Sequence, residues 1–363
     1  MATLKNITIN DTGSLQVASG NNAERANTNG DLRFNTTTNK VEQYANGVWK
    51  TVDGSISAGS GTTIATGGSI TTAGGYRIHT FTSNGTFNAP YTGRAEVLVV
   101  GGGGGGGPIG GGGGAGGYVY ESAVSIVGGA NYTVNRGGSG TGGFHHYSNE
   151  GTPGGPSSFV GPNANITATG GGKGGFYAGG SPIPEMSGGS GGGGPGGNGS
   201  SGTHYTSYPG EHPGGTGVIG QGHPGGYGHH GSGPGYPNPG CQGSGATHAG
   251  GSGGGAGSRG ISRYSNWVRC HGGQGIANAI GGSSVIYAAG GAGGTHVNPQ
   301  YGHSPDPGGA GDGTGNSGTH GGAVATAGGV NRGGGGGGGA HPGGENPAGA
   351  GGTGVVIVKY RIQ

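Results

Sequence analysis

The chain has 363 residues, of which 110 are glycine, 28% are hydrophobic and 8% are charged, with a formal net charge of +2. Scattered basic residues and near-neutral charge argue against nucleic acid as a partner, because phosphate binding needs clustered Lys or Arg. No apolar run approaches the roughly 20 residues of a membrane span. The N-terminal residues also lack a secretory signal pattern, so we expect no export by that route.

Residues 1–54 have an ordinary glycine content and several short strand patterns, which predict a small N-terminal β module. Its strands are expected at residues 4–9, 15–18, 31–35, 41–44 and 48–52. Asn46-Gly47 is typical of a tight hairpin turn, and the polar run 35–39 predicts a second turn. Its core is expected to contain Leu32, Phe34, Tyr44 and Trp49.

Residues 55–75 are rich in Ser, Thr and Gly and are interpreted as a linker. Strand patterns then recur in residues 76–363. They lie at 76–82, 86–89, 95–100, 118–127, 131–135, 157–160, 166–169, 285–288 and 355–362. The apolar strands 95–100 and 355–362 come before and after most of the glycine-rich sequence. Either the two strands pair and hold the glycine-rich residues between them, or each strand packs locally. We therefore predict a β frame formed by residues 76–170, 283–288 and 354–362.

Glycine recurs at every third position for a few turns in the remaining residues, 171–353, and loops with His, Tyr or Pro follow each run. The runs are Gly188, Gly191, Gly194 and Gly197; Gly222, Gly225, Gly228 and Gly231; Gly251, Gly254, Gly257 and Gly260; and Gly315, Gly318 and Gly321. Three residues per turn is the period of the extended polyproline II helix. The interruptions exclude one continuous collagen helix.

Two arrangements remain for such a chain. Disorder is one, because ordering costs roughly 1–2 kcal/mol of backbone entropy per residue. The other is a body of glycine-ridged extended helices, known as polyglycine II, which pair main-chain N–H and C=O groups with their neighbours. We favour the second and predict an all-β protein with no α-helix, because glycine disfavours helices.

Two stretches resemble known virion proteins. Residues 30–44 (GDLRFNTTTNKVEQY), followed by Gly47-Val48-Trp49, resemble a short repeat of tailed-bacteriophage fibre proteins, including those of cyanophages. Residues 76–87 (YRIHTFTSNGTF), with 97–107, 166–172 and 354–360, are similar to the glycine-rich domain of phage tail-fibre tips and adhesins. That class includes adhesins with stacked polyglycine II helices.

The resemblance implies a virion tail appendage, assembled in the host cytoplasm, that recognises the host cell surface without enzymatic activity. The N-terminal module would dock to other tail proteins or form a homotrimer, and the loops would bind a polysaccharide or an outer-membrane protein. The alternative is a structural head fibre or decoration protein whose loops contact the capsid.

The candidate receptor-binding residues lie in the aromatic loops, where flat rings alternate with polar groups. They are Tyr147, Tyr205, Tyr208, Tyr227, His229, His230, Tyr236, Tyr264 and Trp267. The alternative is that these rings cap the ends of the glycine helices and pack on one another.

No cofactor, metal or catalytic residue is predicted. Adjacent histidines in an extended segment point opposite ways, so the pairs 145–146 and 229–230 are poor chelates by themselves. The few carboxylates form no recognisable pair for sugar hydrolysis. Cys241 and Cys270 either bridge two loops or remain unpaired.

Overall fold

The computed structural model describes residues 18–25, 31–45, 48–52, 65–108, 110–144, 149–176, 186–196, 211–230, 248–262, 271–296, 325–339 and 347–362. The chain divides into two compact units, Met1–Ile64 together with Gln363, and Ala65–Ile362. Within the described ranges the fold is all-β, as predicted, with one 3-10 turn at Asn22–Glu24 and no α-helix. In this part of the chain, no helix has the length and apolar character needed to cross a bilayer.

The first unit is a four-stranded sheet. Its strands are β1 (Ala18–Gly20), β2 (Leu32–Asn35), β3 (Lys40–Ala45) and β4 (Val48–Thr51), in that spatial order. The turn between β2 and β3 forms because the Asn35 side-chain oxygen accepts hydrogen bonds from the backbone N–H groups of Thr37 and Thr38. The sequence predicted β2, β3, β4 and this turn correctly, whereas Asn46-Gly47 and residues 1–17 lie outside the described residues.

The buried face of this sheet is more polar than the sequence predicts. Its side chains include Arg33, Asn35, Glu42, Thr51 and Trp49. Strand alternation places Leu32, predicted in the core, on the opposite face, where it is 44% exposed. That prediction is therefore wrong for Leu32.

Phe34 and Tyr44, also predicted in this core, are half-buried. The Tyr44 ring lies 5.5 Å from that of Trp49, which is buried.

The second unit contains the remaining strands. They are β5 (Ser69–Ala73), β6 (Tyr76–Phe81), β7 (Gly85–Asn88), β8 (Gly93–Val100), β9 (Tyr118–Ile126), β10 (Asn131–Asn135), β11 (Ser157–Gly161), β12 (Ala164–Ala168), β13 (Glu211–His212), β14 (Gly228–His230), β15 (His248–Ala249), β16 (Ile276–Asn278), β17 (Val285–Tyr287), β18 (Thr295–His296) and β19 (Val355–Arg361). Two sheets form the frame, ordered β5-β6-β19-β8-β9 and β12-β11-β10-β7.

Part of the predicted linker belongs to this frame. β5 pairs antiparallel with β6 through a turn at Gly74 and Gly75. Both glycines have positive φ angles, +57° and +79°, which side chains disfavour and which a tight hairpin turn requires. Residues 65–75 are therefore not a linker, and residues 53–64 lie outside the described residues.

The two frame sheets share a hydrophobic core. Phe87, Tyr132 and Phe159 from the smaller sheet pack in one cluster with Val97 and Val99 of β8. The alternate residues of β8 belong to a second cluster on the other face of the larger sheet, beneath the β16–β17 hairpin. Residues 97–100 of β8 and 355–358 of β19 are covered on both faces, so these parts of the two strands are continuously apolar.

β8 and β19 pair antiparallel, with Val100 opposite Val355. The two apolar strands around the glycine-rich residues therefore pair with each other, which is one of the two arrangements that the sequence left open.

Glycine-rich extended segments make up the rest of this unit, and segment 101–107 shows how they pack. Every third N–H group of this segment donates to the same neighbour: Gly101 to Gly117, Gly104 to Gly114 and Gly107 to Gly111. The intervening N–H groups donate to segments 152–155 and 349–352, and its carbonyl groups accept from segments 171–174, 140–143 and 336–339. Six neighbours therefore surround it, which is the arrangement of packed polyglycine II helices.

The amount of glycine in a segment follows from the number of its neighbours. A Cβ atom added at any position from Gly102 to Gly107 would lie 1.9–2.1 Å from a backbone carbonyl oxygen, so the enclosed segment tolerates no side chain. In the peripheral segment 137–143 only every third residue is fully enclosed, and Ser139 and Thr141 are exposed.

The predicted limits of the glycine helices were too narrow. Segments 101–107, 111–117, 137–143 and 151–155 also pack in this way, although the sequence assigned residues 76–170 to the β frame. The predicted run from Gly251 to Gly260 is interrupted by a bend at 256–258. Gly315, Gly318 and Gly321 lie outside the described residues.

Gly105→Ala should destabilise the second unit by more than about 3 kcal/mol, because its Cβ would lie 1.9 Å from the Thr141 carbonyl oxygen and backbone atoms cannot move aside. Gly138→Ala is the matched control, since nothing lies within 4 Å of its Cβ position. Calorimetric unfolding of both variants tests this, and equal melting temperatures would contradict the packing described.

Buried His79 makes the stability of the frame depend on pH. Its Nδ1 lies 2.7 Å from the Gly67 carbonyl oxygen, which can only accept, so Nδ1 carries the proton and Nε2 accepts from the Tyr360 hydroxyl at 3.3 Å. Burial lowers the pKa of His79 from its usual 6.5, although the hydrogen bond to Gly67 opposes this shift. The unfolded chain therefore takes up this proton at a higher pH than the folded chain.

The contribution of His79 to the free energy of unfolding is fully present above about pH 6.5. It should be lost as the pH falls below that value, by at most about 1.4 kcal/mol per pH unit. Melting temperatures between pH 7.5 and 5.0 should fall less steeply for His79→Gln than for the wild type. His223→Gln, which changes an exposed histidine, should retain the wild-type slope.

Candidate functional site: the loop end of the glycine-rich body

The extended segments have two distinct ends. At the strand end they continue directly into the frame, as Gly101 follows β8, Gly117 precedes β9 and Gly354 precedes β19. At the opposite end, here called the loop end, a connected set of main-chain hydrogen bonds joins the points where the segments leave the body. These bonds are Gly143 to Gly106, Gly339 to Gly107, Gly107 to Gly111, Gly111 to Gly175, Gly194 to Gly226, Gly251 to Gly194, Gly250 to Gly294 and Gly294 to Gly110.

The loop end carries a sheet of its own, with the order β13-β14-β15-β18. Its strands are two or three residues long and all pair antiparallel. Each continues a glycine segment, as β14 follows 222–227 and β15 precedes 250–255. Packing of the glycine helices thus brings together short strands that are far apart in the sequence.

Most predicted receptor-binding residues belong to segments that begin at the loop end. Tyr147, Tyr205, Tyr208, Tyr236, Tyr264 and Trp267 lie outside the described residues, as do Cys241 and Cys270. The four segments that contain them, 145–148, 197–210, 231–247 and 263–270, start where residues 144, 196, 230 and 262 leave the body. His229 and His230 are in β14.

Tyr227 is the predicted aromatic residue whose side chain is described, and it is 43% exposed. It is held at the point where two segments leave the body, since its backbone N–H donates to the Ser262 hydroxyl at 3.0 Å.

Other loop-end groups were not among the predicted site residues. Phe144 is 42% exposed beside residues 145–148. Buried Lys173 forms an ion pair with Glu150, with Nζ and Oε2 2.6 Å apart, and the Glu150 side chain is 42% exposed. Because the partners belong to different glycine segments, only the order of packing could have shown that they meet.

These groups offer contacts to a binding partner. Exposed rings offer contact area at low entropic cost. The Glu150 carboxylate offers a hydrogen-bond acceptor in the segment next to Phe144, whose backbone N–H donates to the Asn149 carbonyl oxygen at 3.0 Å. Among the residues whose side chains are described, no group of three or more His, Cys, Asp or Glu is arranged to hold a metal ion.

The observed body agrees with a comparison against protein families. A family model described as a glycine-rich domain matches residues 79–361. The chain belongs to this family. The glycine-rich domain thus begins in β6 and ends with β19, the strand that closes the larger frame sheet, and it leaves out the first unit. A search of curated proteins found no match.

The N-terminal unit has a different candidate surface. One sheet face is held by polar groups: the Arg25–Glu42 ion pair, with Nη2 and Oε1 2.6 Å apart, and the Asn35 amide, which donates to the same Glu42 oxygen at 2.6 Å. The Arg25 and Arg33 guanidinium carbons each lie 5.8 Å from the Trp49 ring centroid.

The other face carries exposed apolar side chains together with the polar residues Gln43 and Lys50. Its large apolar side chains are Leu32, Val41 and Val48, exposed by 44%, 37% and 41%.

Glu42→Ala should destabilise the N-terminal unit by about 3–5 kcal/mol, because it leaves the buried Arg25 charge without this carboxylate. Urea unfolding followed by Trp49 fluorescence, in a Trp267→Phe background, measures the effect. Gln43→Ala changes the next, exposed residue of β3 and should remain within about 0.5 kcal/mol of the background protein. Equal midpoints for the two variants would show that the ion pair contributes little.

Proposed function

We propose that this protein is a non-enzymatic phage tail-fibre or fibre-tip protein that adheres to the host cell surface through its loop end. The observation that carries the proposal is that the points from which the aromatic segments continue lie at one end of a body whose interior consists of main-chain hydrogen bonds. Such a body holds several loops in a fixed arrangement, so recognition does not require the body itself to reorganise. The resemblance of residues 30–49 and 76–107 to fibre and adhesin proteins supports the same function.

The receptor we propose is a surface polysaccharide or an outer-membrane protein. Tyr227 and Phe144 could stack on the apolar faces of sugar rings, and the Glu150 carboxylate could accept hydrogen bonds from their hydroxyl groups. Each such contact is weak alone. Several linked copies would raise the overall affinity by about 10²–10⁴.

The N-terminal unit would attach the protein to other tail proteins and hold it as a homotrimer. Its exposed apolar side chains, Leu32, Val41 and Val48, suit such an association because burying them removes apolar area from water. Sedimentation velocity of the full-length protein measures the oligomeric state.

Fluorescently labelled full-length protein should bind to bacterial cells, with cyanobacterial strains as the first panel. Tyr227→Ala should reduce the bound fraction about 3- to 10-fold at the loop end, as expected for an exposed aromatic contact. Ile219→Ala is the matched control, because Ile219 is 99% exposed in the turn beside Gln221, whose side chain bonds to Thr167 and Thr169 at the strand end.

Immunogold labelling of intact particles completes the test. Label at the tail, together with cell binding that Tyr227→Ala weakens, is the expected result. Label on the capsid without cell binding would overturn host adhesion and favour a head fibre or decoration protein. Equal loss of binding in both variants would exclude the loop end as the adhesive surface.

A further inference from the structure

Four connected side chains cross the larger frame sheet, one from each of four adjacent strands. The Tyr120 hydroxyl of β9 donates to Glu96 Oε2 of β8 at 2.7 Å. The other oxygen of this carboxylate, Oε1, lies 2.9 Å from Nζ of Lys359 in β19. The same ammonium group lies 4.5 Å from the ring centroid of Tyr76 in β6. These four residues are here called the tyrosine row, and their mutual contacts hold the two rings in place.

The tyrosine row is open to solvent. In the strand register Tyr120 lies opposite Leu98, so the row shares its sheet face with the cluster beneath the β16–β17 hairpin. Tyr76 and Tyr120 are nevertheless each 37% exposed. The edge strand β5 places the small residues Thr71 and Ala73 on this face beside Tyr76. A ligand can therefore reach both rings.

The charge on this face is mainly positive. Arg361 lies directly opposite Tyr76 in the register and is exposed. Arg94, two positions before Glu96 in β8, is exposed on the same face. With Lys359, the described strands of this sheet place three basic side chains on this face against one carboxylate. This excess of positive charge is complementary to an anionic ligand.

The separation of the two rings indicates a ligand longer than one sugar. β6 and β9 are three interstrand spacings apart in the sheet, about 14 Å. A single sugar ring is too small to contact both Tyr76 and Tyr120, whereas a chain of sugars can lie across the row.

The chemistry of the face fits such a chain if it carries acidic groups. Tyrosine rings offer contact area at low entropic cost, and the apolar faces of sugar rings stack on them. Lys and Arg donate charge-assisted hydrogen bonds to anionic oxygen atoms. We propose that the tyrosine row, together with Arg94 and Arg361, binds an acidic polysaccharide. This inference adds a second binding surface at the strand end and does not depend on adhesion through the loop end.

The test is calorimetric titration of the full-length protein with polygalacturonate, alginate and dextran sulfate at pH 7.5 and low salt. At least one of these anionic polymers should bind, whereas dextran, the neutral counterpart of dextran sulfate, should not. Tyr76→Ala and Tyr120→Ala should each weaken binding about 3- to 10-fold, as expected for an exposed aromatic contact. Tyr227→Ala, which changes the loop end, should leave the affinity unchanged.

Glu96→Gln gives a result of opposite sign. It should strengthen binding about 3- to 10-fold, because it removes a like charge beside the ligand while the amide oxygen can still accept from Tyr120. Glu121→Gln is the matched control, since Glu121 is exposed on the other face of the sheet, opposite Val97. This variant should retain the wild-type affinity, so a gain that is specific to Glu96→Gln separates a ligand contact from a change in overall charge.

Three outcomes would overturn the proposal. The first is that none of the three anionic polymers binds. The second is binding that Tyr227→Ala removes and Tyr120→Ala does not, which would assign it to the loop end and leave host adhesion standing. The third is a change in sedimentation coefficient for Tyr120→Ala without binding of any polymer, which would show that this face contacts a second copy of the chain.

Discussion

Main-chain hydrogen bonding between segments that lack Cβ atoms is the interaction on which the rest of this protein depends. Segment 101–107 donates its N–H groups to three neighbours in rotation and accepts from three others, so its polar backbone is satisfied without a helix or a sheet. An unpaired buried amide costs about 1–3 kcal/mol, so this pairing is a condition for burying glycine at all. The described hydrophobic clusters lie against the larger frame sheet, one of them beneath the β16–β17 hairpin, and β8 pairs with β19 on either side of most of the glycine.

The two ends of this hydrogen-bonded body have different surroundings. At the strand end, residues such as Gly117 and Gly354 are fixed by the strands that follow or precede them. At the loop end, within the described ranges, some glycine segments continue into small strands such as β14 and β15. Side chains that the interior excludes are therefore concentrated in the loop-end segments, where chemical variety does not disturb the packing.

Much of this architecture could be predicted from local patterns. The apolar runs of β8 and β19 and the three-residue glycine period each reflect their immediate surroundings, so the strands and extended helices could be predicted. Whether the two bracketing strands pair or pack locally was left open, and the structure shows that they pair. Leu32 was assigned to the core because it is apolar, yet strand parity places Arg33 and Glu42 inside, where ion pairing and the Trp49 ring compensate their charge. Residues 65–75 looked like a linker because a two-glycine hairpin has the same composition.

Other features depend on which helix lies beside which. Every glycine ridge offers the same surface to its neighbours, so the sequence does not show that Lys173 and Glu150 form an ion pair. Seven consecutive glycines were assigned to the frame because a period of three cannot be recognised when every position is glycine. The candidate residues outside the described ranges, Trp267 among them, stay predictions.

The position of β19 between β6 and β8 has a consequence for how the molecule forms. His79 and Tyr360, in contact across this sheet, are 281 positions apart. Proteins dominated by pairings between residues so distant in sequence fold in milliseconds to seconds, far more slowly than helical bundles. During translation β6 and β8 each keep one edge unpaired until β19 has left the ribosome, and exposed strand edges of this kind recruit other chains. The glycine-rich body is thus completed in one late step, which makes the nascent chain, rather than the finished one, the form most in need of protection.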